Sequence, residues 1–185
     1  DGLPALALGV DPPDPDVMRR PPRRPDEGVF ARRLGIKVLG RGVLIGLGTL
    51  ASFLIAFFTL PGTPGVAPYD DPAVLGPART MALATLVCAQ LIHVFDCRSE
   101  RRAIWETPLS SNPWLVAAVA SSVTALLLAV YWPPLAGVFG TAPLQLWQWL
   151  VVLLLASAGE VIVGVRRLIL FGRPLRTRVH IEEEA

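Results

Sequence analysis

The chain has 185 residues, of which 52% are hydrophobic and only 17% charged, and its mean hydropathy is positive. This composition argues against an ordinary soluble domain and is typical of a membrane protein with several spans. Two cysteines, Cys88 and Cys97, are too few for a disulfide framework and are expected to be reduced thiols.

The first segment, residues 1–10, is apolar but begins with Asp1 and contains Gly2 and Pro4. Proline removes a backbone N–H and glycine weakens a helix, so carbonyl oxygens near Asp1 are left free to face an ion. We interpret 1–10 as the end of an interrupted membrane helix and, since no Met precedes it, expect the chain to be a piece of a larger protein. A stiff Pro/Arg-rich loop is predicted over 11–37.

Four apolar stretches follow, each close to the roughly 20 residues that a helix needs to cross a bilayer. The sequence therefore predicts an all-α membrane protein with four transmembrane helices. Their predicted bounds are 38–60, 78–95, 114–132 and 144–170, with connecting loops over 61–77, 96–113 and 133–143 and a tail over 171–185.

The basic residues are concentrated in three segments of the chain. Sixteen of the seventeen lie in 11–41, 96–112 and 166–185, and none lies in the loops 61–77 and 133–143. By the positive-inside rule the first loop, the middle loop and the tail are expected to be cytoplasmic. The predicted location is the cell membrane, with several passes.

The opening residues read Asp-Gly-Leu-Pro-Ala and are followed by a loop in which eight positions match one known pattern. The loop positions are Pro12, Pro13, Asp14, Asp16, Met18, Pro21, Pro22 and Arg23. This string resembles the P-type cation-transporting ATPases, close to the bacterial calcium pumps, and the resemblance covers essentially the whole chain. It implies that the four spans are the last four of ten helices, preceded by the end of the sixth.

The resemblance implies two cation ligands. The aspartate that matches Asp1 is a shared ligand of the transported ion in the family, and calcium favours carboxylate and carbonyl oxygens. The position of Gln90 holds a glutamate where two calcium ions are carried and a glutamine where one is, so Gln90 is a weaker candidate. From the residues alone, Asp1 is equally a solvated chain end, and Gln90 equally a hydrogen-bond partner of a neighbouring helix.

The loop after residue 10 is implied to couple the ion site to a phosphorylation domain. The candidate coupling residues are Asp14, Asp16, Met18, Pro21, Pro22 and Arg23. Its arginines also suit anionic lipid, whereas nucleic acid is not predicted because Phe30 is its one aromatic residue.

Glu160 lies in the fourth predicted span. An acid at membrane depth is either an ion or proton relay or a structural group. We favour the structural interpretation, in which Glu160 pairs with an arginine one or two turns away or extends to the interface.

The phosphorylation, dephosphorylation and nucleotide-binding motifs of the family are absent from these residues. The chain alone is therefore not expected to bind ATP or magnesium, which belong to the intact pump, and its expected partners are the upstream part of the same pump and membrane lipid. The predicted function is the carboxy-terminal membrane region of a cation exporter, with calcium first and manganese second as cargo. The alternative is a free-standing four-helix membrane scaffold or regulator that begins at Met18.

Overall fold

A computed structural model of the chain describes residues 2–12, 34–98 and 111–171, and for residues 34 and 166–171 the backbone alone. These ranges contain six helices and no strand. The helices are α1 (Gly2–Leu8), α2 (Leu34–Thr59), α3 (Pro72–Asp96), α4 (Pro113–Tyr131), α5 (Pro133–Phe139) and α6 (Leu146–Phe171). The prediction of an all-α chain with four long apolar helices is confirmed.

The helix starts follow local sequence signals. α3 and α4 each begin at a proline, whose missing N–H costs nothing in the first turn, and each is preceded by a side chain that caps the helix. The short helix α5 begins with two prolines inside the predicted loop 133–143, and it ends at Gly140. Gly140 has a φ of 63°, a left-handed conformation that glycine adopts without a steric penalty.

The four long helices, α2, α3, α4 and α6, are long and apolar enough to cross a bilayer. Large apolar side chains such as Leu47, Leu54 and Leu154 remain exposed on their outer faces. In water such faces would be an aggregation hazard, whereas lipid tails solvate them. The exposed apolar surface therefore agrees with a membrane setting.

Helices α2, α3 and α6 pack against one another, and α4 lies beside α3 and α1. The hydrophobic core, to which α4 also contributes, is rich in small side chains, including Ala56, Ala84 and Ala156. A Cβ added at Gly48 would lie 3.3 Å from the carbonyl oxygen of Leu155, so glycine permits the closest approach of α2 to α6. Small residues at the interface are the usual means of close helix packing in lipid.

The bundle has two ends, which we name by their buried charges. The Arg41 end holds the start of α2, the end of α3 and the start of α4, and the Asp71 end holds the connections 60–71 and 132–145. At the Asp71 end, Ala142 N–H donates to Thr80 Oγ1 at 2.8 Å. Halfway between the ends, the buried hydroxyls of Thr85 and Ser52 lie 2.8 Å apart and join α3 to α2.

Asp71 is 1% exposed and organises the Asp71 end. Its carboxylate accepts hydrogen bonds from the backbone N–H and the hydroxyl of Thr63 and, at 2.9 Å, from Ala73 N–H in the first turn of α3. The hydrogen bonds from the Thr63 and Ala73 N–H groups lower the pKa of Asp71, against the opposing effect of burial. The ionised form is therefore the one that stabilises the loop.

We expect Asp71→Ala to lower the midpoint of thermal unfolding in detergent, because it removes the cap of α3 and leaves the Thr63 donors without their acceptor. Asp71→Asn keeps a capping oxygen and should lose less. Since the folded pKa lies below the unfolded one, the advantage of wild type over Asp71→Asn should be constant near neutral pH and vanish only as the pH falls below about 4. A difference that instead disappears on raising the pH would contradict this account.

Candidate functional site

Side chains from three helices meet in one buried ion network at the Arg41 end. The guanidinium of Arg41, from α2, pairs with the carboxylates of Asp96 on α3 and Glu160 on α6. His93, one turn before Asp96 on α3, places Nδ1 3.1 Å from Glu160 Oε1. The side chains of Arg41, Asp96 and Glu160 are only 12%, 9% and 12% exposed. We call these four residues the Arg41 network.

Each buried charge of the Arg41 network needs an opposite charge beside it. A carboxylate or guanidinium in an apolar bundle is costly unless it is paired, and Arg41 pairs with two acids at once. Asp96 is the last residue of α3, where the partial negative charge of the helix end disfavours an acid. Two carboxylates against one guanidinium leave a formal charge of −1, and a protonated His93 would bring it to zero.

A divalent cation is the other occupant that this chemistry suits. One ligand atom from each of His93, Asp96 and Glu160 can be chosen so that all lie within 4.8 Å of one another. The guanidinium of Arg41, however, already bridges both carboxylates. The geometry thus supports a structural ion network in which the guanidinium of Arg41 occupies the position that a metal ion would need.

A second polar cluster joins α1 to α4 and to the end of α3. Arg98 donates from Nε and Nη2 to the carboxylate of Asp11, at 3.1 and 2.9 Å. Asn112 donates from Nδ2 to the carbonyl of Ala7 at 3.0 Å and to Asp11 Oδ1 at 2.9 Å, while its Oδ1 caps α4 by accepting from Leu115 N–H at 3.0 Å. We call Asp11, Arg98 and Asn112 the α1 clamp.

The α1 clamp is sheltered from water. The side chain of Arg98 is 3% exposed and Asn112 is 2% exposed. Burial by itself raises the pKa of Asp11, but the hydrogen bonds from Arg98 and Asn112 and the charge of Arg98 lower it below its usual range. Asp11 is therefore held as a carboxylate, which is the form that both donors require.

The structure describes some of the predicted site residues and not others. Asp1 and the coupling residues lie outside the described residues; the latter are Asp14, Asp16, Met18, Pro21, Pro22 and Arg23. Gln90 is half-buried on α3, one turn before His93. Glu160 is paired, as the structural interpretation expects, but its partner Arg41 comes from another helix rather than from one or two turns away.

Sequence reasoning passed over Arg41, Asp96 and all three residues of the α1 clamp. A signal existed for Arg41, because it and Glu160 are opposite charges near the same end of two apolar spans. Charges that would be unpaired within their own helices predict pairing between helices. Nothing local marked Asn112 as more than a helix cap, since its second role depends on where α1 packs.

Comparison with known proteins identifies the family that the chain matches. Residues 1–169 match the family described as "Cation transporting ATPase, C-terminus". The chain is 47% identical over 153 residues to the "Calcium-transporting ATPase" of Bacillus subtilis, a match that covers 83% of this chain and 16% of that protein. It is 38% identical over 161 residues to the "Calcium-transporting ATPase 1" of Bacillus cereus, which covers 84% and 18% respectively. The chain thus spans less than a fifth of these relatives.

We expect Arg41→Met to destabilise the bundle by about 3–5 kcal/mol, because it leaves two buried carboxylates without their cation. The double variant Arg41→Met with Glu160→Gln removes one charge of each sign and should recover part of that loss, since Asp96 alone then lacks its cation. Thermal unfolding of the four proteins of this cycle in detergent measures the coupling between the two sites. Additive losses would show that Arg41 and Glu160 do not interact.

Proposed function

The chain belongs to the family of the carboxy-terminal regions of cation-transporting ATPases, and from this premise we propose that it works as the carboxy-terminal membrane region of an ATP-driven calcium export pump. The match over residues 1–169 carries the proposal. The calcium assignment draws its support from two relatives, at 47% and 38% identity, whose names state that they transport calcium. The match also includes residues 1–17, which a scaffold protein beginning at Met18 would lack.

Asp1 and Gln90 are the proposed contacts to the transported ion. Asp1 directly precedes α1, and a carboxylate there supplies the hard oxygen ligand that calcium prefers. Gln90 supplies a neutral amide oxygen from α3, a weaker ligand. The remaining ligands would come from parts of the pump that are not in this chain.

The proposed mechanism gives this chain no catalytic group. In the intact pump ATP, with magnesium, would phosphorylate an aspartate of a cytoplasmic domain, and the loop over 11–37 would touch that domain. Movement of the loop would reach Asp1 through the short helix α1. Helices α2, α3 and α6 brace the site, a role that the Arg41 network and the buried Thr85–Ser52 pair support.

The proposed orientation puts the Arg41 end at the cytoplasm. This end holds Lys37, Arg41 and Arg98, whereas the connections 60–71 and 132–145 at the Asp71 end carry no basic residue. The positive-inside rule favours this arrangement. Asp70 and Asp71 would then lie on the outer side.

In the full-length protein, Asp1→Asn should abolish calcium-stimulated formation of the phosphoenzyme from ATP, because an amide cannot replace the charge of the ligand. Labelled phosphate on the acid-quenched protein, measured across calcium concentrations, reports this directly. Asp70→Asn, which neutralises an exposed acid at the Asp71 end, is the matched control and should behave as wild type. Unchanged calcium stimulation in Asp1→Asn would overturn the site assignment.

The resemblance to the calcium pumps implies that a glutamine at position 90 goes with one calcium ion bound per phosphorylatable protein, and a neutral amide adds no charge for a second site. Equilibrium binding of radioactive calcium, divided by the maximal phosphoenzyme level, gives this ratio. Gln90→Ala should leave the ratio at one and weaken affinity by less than Asp1→Asn. A ratio of two in the wild type would refute the proposal for Gln90.

A further inference from the structure

We propose that Arg98 and Asn112 are positioning residues for the ion site, acting by holding α1 through the α1 clamp. The proposal rests on the function proposed above, in which Asp1 binds the transported ion. Neither residue is placed in contact with that ion. Their role is to fix the helix that directly follows Asp1.

Among the described residues, α1 makes few apolar contacts. Of its seven residues, Pro4 and Ala7 are buried, whereas Leu3 and Leu6 are 60% and 75% exposed. Between α1 and α4 lies an open groove of about 430 Å³, lined by Leu3, Leu6 and residues of α4 from Trp114 to Ser121. Within the part of the chain that the structure describes, α1 packs against α4 and, to a smaller extent, α3, and buries Pro4 and Ala7.

The polar contacts of the α1 clamp are, by contrast, dense and directional. Asn112 donates to the Ala7 carbonyl in the last turn of α1, a carbonyl that also accepts from Val10 N–H at 3.4 Å. Arg98 donates hydrogen bonds to the Asp11 carboxylate from two nitrogens, a geometry that fixes orientation as well as distance. Both donors are almost fully buried, so water does not compete for these bonds.

The position of the clamp lets it act on Asp1. Helix α1 is about two turns long, so a shift or rotation at Ala7 is carried to its first residue. Ligand sites lose affinity when the groups that orient their ligands are removed, typically by about 10–100-fold for metals. Among the described contacts, the α1 clamp is the one that we infer fixes the position of α1 relative to α3 and α4.

Asn112→Asp separates the two roles of this residue. An aspartate still caps α4, but it cannot donate to the Ala7 carbonyl and it repels Asp11. Arg98→Lys tests the second contact, since an ammonium keeps the charge without the two-pronged geometry. The control is Asp71→Ala, which removes a buried capping carboxylate from α3 at the other end of the bundle.

The measurement is phosphoenzyme formation from ATP across calcium concentrations, in the full-length protein. For Asn112→Asp we expect the half-maximal calcium concentration to rise by about tenfold or more, with the maximal phosphoenzyme level per folded protein unchanged. Arg98→Lys should raise it by a smaller factor. Asp71→Ala should lower the amount of folded protein and leave the half-maximal concentration as in the wild type.

Asp1→Asn is measured in parallel so that the two proposals fail separately. If Asp1→Asn loses calcium stimulation while both clamp variants keep the wild-type half-maximal concentration, the positioning role is overturned and the ion-site assignment stands. If Asp1→Asn keeps full calcium stimulation, the ion-site assignment fails, and the positioning role falls with its premise. Should Asn112→Asp not fold, Arg98→Lys carries the decision alone.

Discussion

One guanidinium, that of Arg41, sets the arrangement of the helices around it. Apolar faces specify the register of helices poorly in a bilayer, because lipid tails solvate them as well as a neighbouring helix does. A buried arginine between Asp96 and Glu160 is different, since sliding any of the three helices by a turn would leave a charge unpaired in an apolar surrounding. Small residues such as Gly48 let the helices approach, and the Arg41 network determines where along their length they meet.

The other polar contacts divide the bundle into a braced unit and an attached one. Helices α2, α3 and α6 are joined at the Arg41 end by the Arg41 network, and α2 and α3 also midway by the Thr85 and Ser52 hydroxyls. At the Asp71 end, the Asp71 carboxylate ties Thr63 to the first turn of α3. Helix α1 is tied by the α1 clamp beside an open groove, and it packs against α4 and, to a smaller extent, α3. A displacement of α1 would leave the packing among α2, α3 and α6 intact.

The sequence predicted the parts of this structure that depend on local or averaged properties. Four long apolar stretches give four helices, because a backbone in lipid must satisfy its own hydrogen bonds. Local signals also mark the starts of α3 and α4, where prolines 72 and 113 follow capping residues, whereas the predicted spans begin at 78 and 114. The contact of Asn112 with Ala7 was not predictable, because it joins residues 105 positions apart and depends on which helix faces which.

The end of α3 is where the two polar clusters meet, and this bears on how the chain would serve a pump. Asp96 belongs to the Arg41 network and Arg98, two residues later, to the α1 clamp. The same short segment thus connects α2 and α6 on one side with α1 and α4 on the other. Gln90 lies less than two turns before Asp96 on the same helix. Because the Arg41 network keeps the end of α3 fixed, a displacement that strains the α1 clamp would move α1 and leave α2, α3 and α6 in place.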